Sequence, residues 1–377
     1  MRRVSLERLH GVVQGALTNY GLRSDAAACI ASVVRDAERD GCASHGIFRV
    51  PGFLHALASG AVDGSAAPAT TQSTAPGVVT VDGQGGFAAP AFAAGRTELV
   101  QRTKINGIAC LALQRVRHFS ALWWEVEQLA GEDQLIALAF VNSAAFVAHS
   151  PGGLRPVYGT NPFAFGCPRG PGRPPLVFDQ ASSTMARGEM QLAMKAGQML
   201  PAAAAIFEGA ETRDPQKALS RQGAQLPFGA HKGTNIALMV ELLAGAATKS
   251  PLAPEAAVEL EQMALSALDT REAGLPAGGA PTVNGELVIA IDPAMLGFPG
   301  GSAQEPFHFV DRVEVLLRAI QASATMEEIG QGSQGSGLRL PADRRQAQRQ
   351  RTVQRGGKVD VDAGVFAEVE EKARKGR

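Results

Sequence analysis

The residues of this chain best suited to chemistry stand together at Ser44-His45-Gly46, with Arg49 four residues beyond the histidine. Histidine is the side chain whose ordinary pKa lets it give or take a proton near neutrality. Arginine presents a planar fork of donors that matches a carboxylate. A hydroxyl beside the imidazole can bond to it only where a bend turns the two neighbours together, since adjacent residues on a helix diverge. The set is that of a proton donor beside a carboxylate clamp. On these residues alone a second reading stays open, a structural histidine at a helix entrance.

The flanking sequence puts this stretch in a bend. Leu6, Leu9, Val12, Val13 and Leu17 recur near one face of a helix opened by Ser5 and ended by Gly21. Ser24 caps a second helix, with Ile30, Val33, Val34 and Ala37 at helical spacing, ending at Gly41. Pro51 suits the first position of a third, short helix that Gly60 closes. His45 therefore lies between two helices, well placed to present a side chain.

Beyond an Ala/Pro/Ser-rich linker at 61–77 the pattern becomes α/β. A strand at Val78–Val81, a helix from Pro90 to Lys104 and a strand at Ile108–Leu113 read as a βαβ unit. Gly83-Gln84-Gly85-Gly86-Phe87-Ala88 imitates the glycine turn of a Rossmann site. Such a site needs an acid after the second strand to hold a ribose, and Gln114 and Arg115 stand there instead. Further strands are expected at 135–142, 176–179 and 287–291. Helices are expected from Ala186, from His231 and over 310–322. Residues 151–175 read as loop-rich, 201–230 as irregular, 274–285 as a Gly/Pro loop and 330–337 as a mobile low-complexity loop.

Composition narrows the function classes. The 377 residues allow two or three domains and an ample core. Lys+Arg and Asp+Glu both number 36, so no nucleic-acid footprint appears. No apolar run reaches membrane-spanning length. The cysteines, Cys29, Cys42, Cys110 and Cys167, form no CxxC pair. That signals neither a metal site nor a disulfide framework, and points to a reduced, cytoplasmic compartment.

The ordered set of short motifs carries a resemblance. It comprises Ser44-His45-Gly46 with Arg49, the glycine turn at 83–86, His118-Phe119, Gly159-Thr160-Asn161-Pro162, Asp179-x-Ala181-Ser182, Gly188, His231-Lys232-Gly233, Ala290-Ile291-Asp292-Pro293 and Leu340-Pro341-x-x-Arg344-Arg345. This series resembles the type-2 malate/L-lactate dehydrogenase family of NAD(P)H-dependent oxidoreductases, over nearly the whole chain. Arg39-Asp40-Gly41, Ser44 to Pro51 and His118-Phe119-x-Ala121-Leu122-Trp123 look like its Δ1-piperideine-2-carboxylate/Δ1-pyrroline-2-carboxylate reductase branch. So does the carboxylate of Glu189 after Gly188, where 2-hydroxy-acid dehydrogenases generally carry lysine and the branch usually carries aspartate. Arg115, Arg117 and the Leu340-Pro341-Ala342-Asp343 run depart from the family pattern.

The resemblance implies a non-Rossmann α/β fold, with a central mixed-sheet domain and a helical domain formed from both chain ends. The expected divisions are 1–68, 69–255 and 256–377, and the expected assembly is a homodimer. It implies His45 as proton donor, with Ser44 and Glu189 as relay partners. Arg49 and Thr160 would hold the substrate carboxylate. His118, Phe119, Ser120, Ala121, Leu122, Phe178, Asp179, Gln180, Arg187, Gly188, His231, Lys232 and Gly233 would line the cofactor, with Arg339, Arg344 and Arg345 closing over it. No metal is implied. The expected activity is reduction of small cyclic imino acids with NADPH, or NADH. The alternatives are a 2-hydroxy-acid dehydrogenase and a catalytically silent ligand-sensing member.

Overall fold

The computed structural model describes residues 1–71, 75–118, 121–259, 261, 282–296, 309–323 and 338–375. The two chain ends meet: β1 (Arg2–Ser5) runs antiparallel to β14 (Lys358–Val361). Ser5 caps α1 (Leu6–Asn19), its Oγ accepting from the Arg8 amide at 3.2 Å. Leu9, Val13 and Leu17 of α1 share one core with Ile30, Val33 and Val34 of α2 (Ser24–Arg39), with α3 (Val50–Ala58), and with Phe366 and Val369 of the Ala363–Lys375 helix. Each such buried side chain contributes about 1.5–3 kcal/mol, so the last helix is fixed to the first by the hydrophobic effect.

A seven-stranded mixed sheet forms the centre. Its order is β2 (Ala69–Thr71), β3 (Val78–Asp82), β4 (Ile108–His118), β13 (Thr282–Ile291), β5 (Ile136–Val141), β8 (Phe163–Cys167), β9 (Leu176–Gln180). β3 and β4 are parallel, joined through α4 (Ala88–Asn106); the other neighbours are antiparallel. Phe92 and Leu99 of α4 and Trp123, Val126 and Leu129 of α5 (Leu122–Gly131) pack on Leu111 and Leu113. The glycine turn is not a phosphate cradle. Gly83 N–H donates to Gln114 O and Gly85 N–H to Arg115 O, both at 2.8 Å, so these amides are committed to β4.

A smaller sheet runs β11 (Ala210–Thr212), β10 (Ala205–Phe207), β12 (Gly223–Gln225), β6 (Val147–Ala148), β7 (Pro156–Tyr158). It corrects two expectations. The 201–230 stretch is not irregular: it supplies three of these strands and α7 (Pro215–Leu219). The 151–175 stretch carries β7 and β8. Strands this short leave no alternation to read, and their pairing comes from tertiary context. Likewise the 61–77 linker holds the exposed edge strand β2. β13 begins at Thr282, inside the expected 274–285 loop, with a register shift between Asn284 and Glu286. Gly285 sits there because a Cβ would overlap the Ala244 carbonyl. The expected loops at 274–281 and 330–337 lie outside the described residues.

Candidate active site

Two single 3-10 turns, Ala43–His45 and Ile47–Arg49, make the bend between α2 and α3. Gly41 releases the chain from α2 with φ +73°, a left-handed conformation that glycine adopts without strain. The bend brings the neighbours together: Ser44 Oγ lies 3.0 Å from His45 Nδ1. Arg49 Nε donates to the Ser44 carbonyl at 2.7 Å, so the guanidinium is held by the turn it follows. Burial lowers its pKa to about 10.

Sequence reasoning missed Glu38. Its Oε1 accepts from the Ile47 amide at 2.8 Å, and a Cβ on Gly46 would overlap its carboxylate. Burial pushes the Glu38 carboxyl up to about 7, against the Ile47 amide, which favours the charged form. A signal existed: Glu38 follows Ile30 by eight residues and Val34 by four, on the buried face of α2.

The second wall is the start of α6 (Arg187–Lys195). Gly188 lies against Arg49 Nη2 and Ser44 Cβ. The Arg187 guanidinium stacks over Phe146 at 4.0 Å, and burial, then the Arg49 charge, lowers its pKa to about 10. Among the described residues no carboxylate pairs with Arg187. Two neighbouring, half-buried cations favour an anion between them. Glu189 is exposed, and its Oε2 accepts from the Ala186 amide at 3.3 Å, a cap on its own helix.

The loops behind α6 are joined by backbone bonds. Thr160 O accepts from both the amide and the hydroxyl of Ser182, each at 2.8 Å, and Ser182 O accepts from Phe228 N–H. Gly233 N–H donates to Phe228 O, and a Cβ on Gly233 would overlap the Phe228 backbone. His231 and Lys232 are exposed at the start of α8 (His231–Val240). The loop of Thr160 is itself anchored by buried Glu241, which accepts from Asn161 Nδ2 at 2.8 Å and Asn142 Nδ2 at 3.1 Å. Residues 44–49 thus meet 188 in one set of contacts, and 160, 182, 228 and 233 meet in a second.

A third group flanks the turn. Ala121 and Leu122 are buried at the start of α5, where the Trp123 amide donates to Asp179 Oδ2 at 3.3 Å. Burial raises the Asp179 carboxyl above its ordinary range, opposed by the Arg345 charge. Phe178 packs on Phe163 and Phe165, and Gln180 is exposed. Arg345 is 8% exposed, donates to Val177 O at 3.1 Å and stacks on the Trp123 ring at 4.5 Å. Arg345 Nη1 and Trp123 Nε1 are buried donors with no acceptor among the described residues. Arg339 and Arg344 are exposed. Phe119, Ser120 and the His118 side chain lie outside the described residues. The departures Arg115 and Arg117 pair with Asp82 and Glu259. Among the described residues no cluster of His, Cys, Asp and Glu could hold a metal, and no helix is long and apolar enough to cross a membrane.

The Asp343–Gln354 helix brings Arg345 to this place. Arg349 on that helix bridges Asp40 and Glu127, and Arg39 grips the other side of Asp40 at 2.7 Å. Thr352 Oγ1 donates to Arg39 O at 3.0 Å.

Comparison with known proteins matches residues 4–370 to the family described as malate/L-lactate dehydrogenase. The chain belongs to that family. Membership makes it an oxidoreductase, and the family chemistry calls for a nicotinamide cofactor. Among relatives of the family, a Δ1-pyrroline-2-carboxylate/Δ1-piperideine-2-carboxylate reductase of Pseudomonas syringae pv. tomato is 38% identical, covering 94% of this chain and 92% of that one. A Δ1-pyrroline-2-carboxylate reductase of Ancylobacter novellus is 38% identical over 98% of this chain and 96% of its own length. The crystal structure of Δ1-piperideine-2-carboxylate reductase from P. syringae superimposes with a TM-score of 0.81 at 36% identity, covering 99% of this chain and all of that one. The fold is therefore the non-Rossmann malate/L-lactate dehydrogenase-like α/β fold.

Proposed function

We propose that this family member reduces small cyclic imino acids with NADPH, taking Δ1-pyrroline-2-carboxylate to L-proline and Δ1-piperideine-2-carboxylate to L-pipecolate. The observation that carries the reading is the junction of two half-buried arginines, Arg49 and Arg187, with the Ser44–His45 pair: an anion clamp beside a proton donor. The printed activities of the relatives support the same substrate class.

Reducing a cyclic imine requires a hydride at carbon and a proton at nitrogen. A nicotinamide cofactor supplies the hydride when bound. Its binding fits this chain because Arg345 Nη1 and Trp123 Nε1 are buried donors in need of acceptors, next to Ala121, Leu122, Asp179 and Gln180. Gly188, His231, Lys232 and Gly233 would complete its cradle. Arg49, with Thr160, holds the substrate carboxylate. His45 gives its proton to the imine nitrogen, which makes the carbon electrophilic. Ser44 Oγ fixes the ring through Nδ1 and so sets the orientation of Nε2. Glu189, next to Gly188 on the first turn of α6, places negative charge where a lysine would repel an imidazolium.

Leu238, Met239 and Leu242 form an exposed apolar stripe on α8 and its continuation, and a second copy of the chain covers it in a homodimer acting in the cytoplasm. The activity is tested by following NADPH absorbance with a panel of cyclic imines, pyruvate and malate's oxo acid. Consumption of imines alone is expected. Consumption of oxo acids alone means a 2-hydroxy-acid dehydrogenase, and no turnover with intact cofactor binding means a silent sensor.

A further inference from the structure

We propose that Glu38 is a positioning residue for His45, fixing the Gly46–Ile47 peptide and through it the direction of the imidazole. The proposal rests on the reading of His45 as proton donor and deepens it. Three observations converge. First, the contact is direct: Glu38 Oε1 accepts from Ile47 N–H at 2.8 Å. Second, Gly46 lacks a side chain at the one place where a Cβ would overlap that carboxylate, so glycine and carboxylate are fitted to each other. Third, Glu38 is held at the edge of the site. It borders a groove with Ala43 and Ile47 from the two turns and Glu189 from α6.

A half-buried carboxyl is costly to keep without a task. This one satisfies an amide that the tight bend leaves outside both α2 and α3. Within the bend each 3-10 turn is three residues long, closed by single bonds such as His45 N–H to Cys42 O and Arg49 N–H to Gly46 O, and the Glu38 contact joins the second turn to α2. Arg49 differs, because it has its own anchors on the Ser44 carbonyl and against Gly188. Loss of the Glu38 contact should therefore misdirect the proton donor more than the carboxylate clamp.

The test compares Glu38→Ala, Glu38→Gln and Gly46→Ala in the full chain, by steady-state kinetics with Δ1-piperideine-2-carboxylate and by hydrogen exchange of the 44–49 segment. Glu38→Ala should lower kcat at least about tenfold, part of the range general acid catalysis supplies, with KM changed by less than about threefold. The Gln side chain keeps an oxygen for the Ile47 amide, so Glu38→Gln should restore kcat to within about threefold of the native enzyme. Gly46→Ala should reproduce the kcat loss with Glu38 still present, which guards against a Glu38→Ala protein that fails to fold. Exchange should quicken at Ile47 in Glu38→Ala and stay slow in Glu38→Gln. Native kcat in Glu38→Ala, or equal damage in the Ala and Gln variants, overturns the proposal. The exchange measurement needs no substrate, so it judges Glu38 whichever substrate the enzyme turns over.

Discussion

The Arg49 guanidinium and the Cα of Gly188 approach so closely that a single added methyl group at 188 would overlap Arg49 Nη2. Glycine at this helix start is therefore a space requirement of the Arg49 guanidinium, which is proposed to hold the substrate carboxylate. Gly188→Ala should displace the guanidinium and raise KM for the imine at least about tenfold, since charge-assisted bonds contribute roughly 1.5–3 kcal/mol each and 1.4 kcal/mol is a factor of ten. The expected change in kcat is smaller. An unchanged KM would mean that Arg49 does not hold the substrate.

The Ser44–His45 contact separates two roles. His45→Asn should lower kcat by roughly 10²–10⁴, the range for general acid catalysis, while cofactor affinity read by fluorescence stays near native. Ser44→Ala leaves the acid in place and loosens only its orientation, so its loss should be distinctly smaller. Equal losses would make the hydroxyl, not the imidazole alone, part of the proton path.

Much of this was legible in sequence because it is local or periodic. The apolar spacing of α1 and α2, Pro51 at the start of α3 and the βαβ unit follow from side-chain patterns that need no partner. The absence of a ribose-binding acid also led correctly away from a Rossmann site. What escaped was decided by tertiary pairing. The strands at 205–225 are three residues long and exist because β12 meets β6. The spacing of Glu38 from Ile30 and Val34 marks the apolar face of α2, but its partner, the Ile47 amide, follows only from the packing of the helix beside the turn. The resemblance singled out Arg345, but nothing in its local sequence marked its guanidinium for stacking on Trp123.

Glu125 and Glu286 are both fully buried, and burial, then the Glu286 charge, raises the Glu125 carboxyl well above its ordinary value. The sign follows. An acid whose pKa is higher in the folded state stabilises the fold fully below its unfolded pKa, and that contribution is lost as pH rises toward the folded value. Glu38 adds a component of the same sign between 4.5 and about 7. The thermal midpoint of the native chain should therefore fall on going from pH 5 to pH 8. Glu125→Gln, which cannot ionise, should flatten that fall; an identical slope in the variant would show that the pair is not protonated in the native state.

The Arg349–Asp40 pair carries the Asp343–Gln354 helix onto the end of α2. The Asp40 side chain has no solvent exposure, so removing Arg349 leaves a buried carboxylate with only Arg39. Breaking a fully buried pair costs about 3–5 kcal/mol, and the remaining arginine reduces this to roughly 2 kcal/mol. Arg349→Ala should show that loss in urea unfolding. A variant as stable as the native chain would mean that apolar contacts alone dock the helix.

Cofactor choice turns on which cations remain open to a 2′-phosphate. The sequence offers Arg115, Arg117, Arg187, Lys232, Arg344 and Arg345. The structure engages most of them. Arg115 and Arg117 are paired with Asp82 and Glu259, Arg345 is turned inward onto Trp123, and Arg187 lies over Phe146 beside Arg49. Lys232 and Arg344 are exposed and, among the described residues, have no ion partner. A preference for NADPH should therefore rest on these two. Each charge-assisted bond supplies roughly 1.5–3 kcal/mol, which is about tenfold or more in kcat/KM. Lys232→Ala and Arg344→Ala should each lower the NADPH-to-NADH ratio of kcat/KM at fixed imine, mainly by weakening NADPH, with NADH little affected. Equal use of both cofactors by the native enzyme would remove the preference itself, and a ratio unmoved by either variant would place the phosphate elsewhere.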